Sequence, residues 1–448
     1  MYYIIIYIYM FRKIPNFLNR NKRTIQYIYT SVLNNKLDKL KKSGNYRKFV
    51  KLERIKNEEV RALVVDKNKS VLVFGSNDYM NIGMNNKIID KTCNDIKKFG
   101  IGSSGTRNIS GTTNIITQLE RSVAKITDME SSIAFTSCYV ANHAVLTTLP
   151  KLLDNIIIFS DELNHASLIK GIQHSRVQKH IFKHNDINDL ERLLKLYPKE
   201  QYKLIVFESV YSMDGDIGNI KSITQLAKKY NALTFVDEVH AIGMYGIKGG
   251  GIIQKLGLTE DVDLISVTMG KAIGCMGGLV SGSHILTDSI RSFSSDFIFS
   301  TSLPPSVCAA NLHSLEFLQN NIKLRQNHQE RVYYLKTKLK EAKLPFIWSE
   351  SHIVPIIIGD INETKIVSDI LLDKYNIYLT PIGPPTVPFG TSRLRINPTP
   401  AHTYKEIDYL VYSLNRIYND LQLSRKIPES YVNYNRNIDY NNKISIYY

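Results

Sequence analysis

The chain has 448 residues, with 57 Lys and Arg against 41 Asp and Glu for a formal charge of +16, and 43% of it is apolar. That apolar fraction excludes a wholly disordered chain, and four scattered cysteines without CxxC spacing exclude a disulfide-stapled miniprotein and offer no metal site. No apolar run approaches the roughly 18 residues of a membrane span, so no integral membrane segment is expected.

In chain order, residues 1–37 hold six bases (Arg12, Lys13, Arg20, Lys22, Arg23, Lys36), and the first acid of the whole chain is Asp38. An acid-free, base-rich N-terminus reads as a transit peptide, which predicts import to the mitochondrial matrix. Residues 38–70 are taken as an N-terminal arm. From 71 to 303 short apolar runs alternate with segments of helical length: strands are predicted at 156–160, 203–208, 233–236 and 264–268, with helices at 187–196 and 220–230. Apolar strands separated by helices predict a parallel sheet covered on both faces, and such sheets bind ligands beyond the carboxyl ends of their strands. One long helix is expected at 304–344, then a strand at 352–358 and a helix near 363–375. That makes 304–423 a smaller α+β domain, followed by a low-complexity tail at 424–448.

The strand ends carry the chemistry. Asp237 closes the 233–236 run with His240 three residues on, Lys271 follows the 264–268 run in a Gly-bounded loop, and Ser212 lies in a polar turn after 203–208. Upstream, Asn164 and His165 follow the first run, and a small polar cluster at 136–139 precedes a helix. A lone Asp or Lys at a strand end is usually a cap or a surface charge, but five clusters at one sheet edge form a pattern. A lysine forms a Schiff base with an aldehyde, a buried carboxylate holds a pyridine nitrogen protonated, and a helix N-terminus takes a phosphate. Together these describe a pyridoxal 5'-phosphate (PLP) site.

Nine ordered strings between about residues 44 and 403 resemble the α-oxoamine synthase family of fold-type I PLP-dependent enzymes: GSNDY (75–79), SSGTRNISGTTN (103–114), NHASLIKGI (164–172), IFKHND (181–186), FESVYSMDGD (207–216), VDEVHAIGMYG (236–246), GKAIGCMGG (270–278), FIFSTSLPP (297–305) and TSRLRINPTP (391–400). The resemblance implies an α/β fold with a large, mainly parallel-sheet domain and a smaller C-terminal α+β domain. It also implies a homodimer with shared active sites.

Within the family the chain is most similar to members that condense glycine with succinyl-CoA. The sister activities yielding 2-amino-3-ketobutyrate or 8-amino-7-oxononanoate are the alternative, against which Arg47 argues. Carried over, the resemblance makes Lys271 the cofactor-bound lysine and general base, pairs Asp237 with the pyridine nitrogen, bonds His240 to the phenolic oxygen and stacks His165 on the ring. Ser212, Thr268, Cys138 and Tyr139 are implied cofactor contacts, with Ser300 and Thr301 reaching the phosphate from the partner subunit. Arg395 is implied to fork the glycine carboxylate, and Arg47, Thr106 and Asn77 to form the succinyl pocket. Ser160, Lys179 and Thr386 match succinyl-CoA contacts, while Gly383, Pro384 and Phe389 depart from the family pattern in a lid-like stretch.

Nucleic acid is not expected as a partner, because no RNA-binding signature accompanies the charge. Six of the excess charges lie in the first 37 residues and a net two in 424–448, leaving +8 across 38–423, a balance suited to anionic ligands.

Overall fold

The structure, a computed structural model, describes the backbone of residues 14–434 and the side chains of 26–432. Arg12, Lys13, the apolar opening before them, and 435–448 of the tail lie outside the described residues. A helix, Ile14–Lys42, runs through the expected boundary at 37, and its side chains from Tyr27 to Leu40 are exposed.

Three short strands follow: β1 (Leu52–Arg54), β2 (Arg61–Val64) and β3 (Lys69–Val73). The core of the larger unit is a seven-stranded sheet of β4 (Ser131–Phe135), β5 (Ile157–Asp161), β6 (Lys179–Phe182), β7 (Lys203–Glu208), β8 (Leu233–Asp237), β9 (Leu264–Thr268) and β10 (Gly278–Gly282). Its spatial order is β4-β10-β9-β8-β7-β5-β6; only β10 runs antiparallel to its neighbours. Successive residues of β7 show why it reads as continuously apolar: Ile205 and Phe207 pack into the core on one face, Leu204 and Val206 into that on the other. In register, Glu208 lies opposite Asp237, Asp237 opposite Ser266, and Thr268 opposite Gly278, so the polar strand ends form one edge.

The smaller unit contains β11 (Val354–Gly359), β13 (Pro381–Ile382) and β14 (Ser392–Ile396), antiparallel in the order β11-β14-β13, against helices Ile322–Glu341, Ile361–Tyr375 and Tyr404–Asp420. A fourth strand, β12 (Ile377–Tyr378), pairs parallel with β3, joining the N-terminal strands to this unit.

Four expectations need correction. The helix foreseen at 304–344 is two, Pro305–Asn320 and Ile322–Glu341, separated at Asn321, whose backbone leaves the helical region. Cys308, Leu315 and Leu318 join the large core, whereas Val332, Leu335 and Leu339 join the small one, so the units divide near 321 and not 304. Leu72 and Phe74 are also buried in the small core, which moves the arm's boundary past 71. Finally, the tail is not featureless through 434: a short helix, Glu429–Tyr434, buries Tyr431 against Arg393, and the Tyr431 hydroxyl donates to Asp214 Oδ1 at 2.7 Å. A single buried aromatic in a polar segment produces no periodicity, so only tertiary packing reveals it.

Candidate active site

Lys271 sits in the loop between β9 and β10. The loop is closed by Met269 N–H donating to the Gly277 carbonyl at 2.9 Å, Cys275 N–H to Met269 at 2.9 Å, and Gly274 N–H to Lys271 at 2.8 Å. Gly274 has φ +74°, and a Cβ there would stand 2.8 Å from the Gly83 nitrogen, so the close turn needs glycine. Thr268 Oγ1 braces the loop, accepting from Gly270 N–H at 3.1 Å and donating to the Gly277 carbonyl at 3.3 Å.

Lys271 Nζ lies 2.7 Å from His240 Nε2, and His240 Nδ1 lies 2.9 Å from the Tyr79 hydroxyl. Burial pulls the Lys271 amine down to about 8, with the Arg395 charge pulling the same way and Asp237 opposing. Burial, then the Lys271 and Arg395 charges, hold His240 well below the ordinary imidazole range and hence neutral.

Asp237, buried at the end of β8, accepts Asn142 Nδ2 at 2.8 Å on one oxygen and Val239 N–H at 2.9 Å on the other. Asn142 also donates to Ser167 Oγ at 3.0 Å, and Ser167 Oγ lies 2.8 Å from His165 Nδ1, so one chain of bonds links Asp237 to His165. Burial lowers the His165 pKa, and its backbone N–H donates to Glu208.

Cys138 and Tyr139 open the helix Cys138–Leu152, whose N-cap Ser137 accepts from Val140 N–H at 3.3 Å. The first amides of that helix adjoin β10: a Cβ on Gly278 would fall 2.1 Å from the Cys138 nitrogen. Burial raises the Cys138 thiol well above its usual range, so it stays protonated and is no nucleophile.

Two guanidinium groups come from outside the large sheet, Arg395 from the small unit and Arg47 from the N-terminal arm before β1. Arg395, on β14, donates to Asn77 Oδ1 at 2.6 Å and to the Ser212 carbonyl at 3.2 Å. Arg47 donates to Thr386 Oγ1 at 3.0 Å, bringing together two residues 339 apart in sequence. Thr106 and Thr301 form an isolated backbone bridge, and Ser300 beside it is half-buried.

Ser160 is buried in β5 and accepts from Asn164 Nδ2 at 2.9 Å, and Lys179 is exposed at the start of the edge strand β6.

Sequence reasoning gave no role to Asn142, Ser167, Tyr79 or Glu208. Asn142 was findable: it follows Cys138 by four residues on one helix and so shares its face. Asp78, next to Asn77, accepts from Ile82 N–H, Gly83 N–H and Arg54 Nη1, each at 2.9 Å, and so fixes the loop that presents Asn77 and Tyr79.

The assembly therefore offers a partly neutral amine, a buried carboxylate held by two N–H donors, a neutral imidazole, a helix N-terminus and the Arg395 guanidinium, whose charge acts on both Lys271 and His240. A planar nitrogen heterocycle with an aldehyde and a phosphate fits that donor set: amine to aldehyde, carboxylate to ring nitrogen, helix N-terminus to phosphate.

Comparisons with known proteins agree in scale. The family described as "Aminotransferase class I and II" matches residues 69–414. The chain is 43% identical over 400 residues to 5-aminolevulinate synthase 1 of Cereibacter sphaeroides, across 89% of this chain and 98% of that protein. It is 41% identical over 430 residues to the mitochondrial 5-aminolevulinate synthase of Eremothecium gossypii, across 92% and 77% respectively. Among solved structures, serine palmitoyltransferase of S. paucimobilis superposes with a TM-score of 0.81 at 28% identity, covering 87% of this chain and 97% of that one. The 8-amino-7-oxononanoate synthase of Francisella tularensis gives a TM-score of 0.66 at 25% identity, covering 79% and 99%.

Proposed function

This chain belongs to the aminotransferase class I and II family and, within it, to the 5-aminolevulinate synthases, and on that premise we propose how its residues condense glycine with succinyl-CoA into 5-aminolevulinate, CoA and CO2. It is a PLP-dependent acyltransferase, with an α/β fold shared by PLP-bound relatives. The observation that carries the reading is the Lys271 amine 2.7 Å from a neutral His240 and at the same strand edge as the buried Asp237 carboxylate.

When bound, PLP supplies an aldehyde for amine exchange and a pyridine ring that accepts electron density as bonds at the amino-acid α-carbon break. Asp237 holds the ring nitrogen, oriented by Asn142 and Val239. Lys271, its neutral form made accessible by burial, takes the α-proton of glycine, and His240 holds the amine in place. Arg395 grips the glycine carboxylate with its fork, which orients the α-carbon bonds against the ring. Arg47, bonded to Thr386, takes the succinyl carboxylate, and Asn77 and Thr106 complete the succinyl pocket in this reading. Cys138 and Tyr139 give backbone donors to the phosphate, while Ser212 and Thr268 hold the cofactor's polar edge and His165 its face. Ser160 and Lys179, with Thr386, contact succinyl-CoA.

Two finer readings go with this. Ser300 and Thr301 serve the site of a second copy of the chain, making a homodimer with shared sites. The acid-free segment before Asp38 directs the protein to mitochondria; the relatives include both mitochondrial yeast proteins and bacterial ones of similar identity. Among the described residues no helix is long and apolar enough to cross a membrane.

The test uses the purified protein: the bound cofactor gives a visible absorption band that Lys271→Ala abolishes, and glycine with succinyl-CoA releases CoA. Equal turnover with acetyl-CoA would move the assignment to a sister activity.

A further inference from the structure

The string IFKHND (181–186) has no part in the chemistry above, yet it places a buried imidazole where the two units meet. His184 Nδ1 lies 2.9 Å from Asp161 Oδ1, and Nε2 lies 2.7 Å from Asp216 Oδ2. Carboxylate oxygens accept, so both ring nitrogens carry hydrogen and the ring is a cation. Burial opposes that charge, but the Asp216 and Asp161 carboxylates outweigh it and push His184 up to about 11.

Both anions have further work. Asp161, at the end of β5, accepts Leu163 N–H at 2.9 Å and Asn185 N–H at 3.1 Å, which ties it to the sheet edge. Asp216 also accepts Asn185 Nδ2 at 3.0 Å, and its own carbonyl accepts Tyr211 N–H at 3.0 Å, closing the 211–216 turn. The Tyr211 ring packs edge-on against His184, centroids 4.4 Å apart. The other side of the turn is held by the small unit. Arg393 donates to the Met213 carbonyl at 3.1 Å and to Asp214 at 2.7 Å, and Arg395 donates to the Ser212 carbonyl at 3.2 Å. The turn thus spans from a cation on the sheet to two guanidinium groups on β14.

We propose that His184 is a positioning residue for the amino-acid carboxylate subsite: it pins the 211–216 turn to the sheet and, through the Ser212 carbonyl, sets where the Arg395 guanidinium stands. This rests on the reading that Arg395 receives the glycine carboxylate. Without the cation, two buried carboxylates face each other unpaired and the turn loses its sheet-side anchor. Arg395 then keeps its charge but not its place.

The holoenzyme is compared with its Asp216→Asn, His184→Asn and doubly substituted forms. Read-outs are the glycine dissociation constant by absorbance titration, the KM values for glycine and succinyl-CoA, and the thermal midpoint. Asp216→Asn leaves His184 paired with Asp161, so the fold is kept; it is expected to weaken glycine by about tenfold while succinyl-CoA stays within about twofold. His184→Asn weakens glycine more, and adding Asp216→Asn to it recovers part of the loss, because one of the two unpaired anions is gone. Unchanged glycine affinity in both single variants would overturn the proposal. So would glycine and succinyl-CoA constants rising together with a falling midpoint, or a double variant no better than His184→Asn. If the parent enzyme rejects glycine but takes another amino acid, the substrate reading fails, and the positioning role is read on the accepted amino acid.

Discussion

At the scale of single residues, the site depends on groups moved from their ordinary ionisation. An amine in water is protonated at neutral pH, whereas burial brings Lys271 down to about 8. The neutral amine is the nucleophile toward an aldehyde, and its fraction grows as pH rises through that value. The rate of PLP capture by the apoprotein is therefore expected to climb with pH with a midpoint near 8, followed by absorbance; a flat rate between about pH 6 and 10 would contradict it. Asn142 gives a second prediction. Its amide is one of two donors on Asp237, and a hydrogen bond to a charged group is worth about 1.5–3 kcal/mol, so Asn142→Ala is expected to weaken PLP binding by roughly tenfold or more by equilibrium dialysis. Lys271, Asp237 and His240 were legible in the sequence because each follows a recognisable apolar run. Asn142 and Tyr79 were not given roles, because a polar residue inside a helix or loop acquires its partner only when distant strands meet.

At the scale of elements, the buried strands and their covering helices announced themselves. Residues 203–208, 264–268 and 220–230 form the strands and helix the sequence predicts, since continuous apolar runs and a 3.6-residue period each have one economical structure. The break at Asn321 was hidden. Both flanking segments are helical in pattern, and the chain bends there only because Leu318 and Val332 belong to different cores. Packing between elements also restricts Gly278, whose absent side chain lets β10 start against the helix Cys138–Leu152. Gly278→Ala is expected to lower stability by about 1–3 kcal/mol through overpacking against backbone and to impair PLP retention, checked by chemical denaturation and bound-cofactor absorbance.

At the scale of the whole molecule, contacts far apart in sequence join the two units. The Tyr431 hydroxyl reaches Asp214, and Ser430 donates to the Gly390 carbonyl, so the C-terminal helix braces β14 and the loop before it. Tyr431→Phe removes one partner of a buried carboxylate and is expected to cost about 1–3 kcal/mol in thermal or chemical unfolding. The His184 triad makes a pH-dependent contribution. Its folded pKa of about 11 stands above the ordinary 6.5, so its stabilisation is complete below pH 6.5 and is lost as pH rises through about 11. Asp161, Asp216, Asn185 and the Tyr211 ring face it, and Tyr211 itself is held protonated, chiefly by burial. The thermal midpoint of the parent is expected to fall more steeply between about pH 7 and 10 than that of His184→Asn, and equal slopes would show that the triad carries no linked proton.

The sequence by itself determined the fold class and set Lys271 and Asp237 at the ends of buried strands, because continuous apolar runs each closed by one polar group form a local pattern; the arginines proposed for the two carboxylates, Arg395 and Arg47, came from the family resemblance alone. Only the tertiary structure decided where the units divide, that the tail docks through 434, and that His184 is a cation. Those outcomes depend on burial and on partners tens to hundreds of residues away, which no local period encodes.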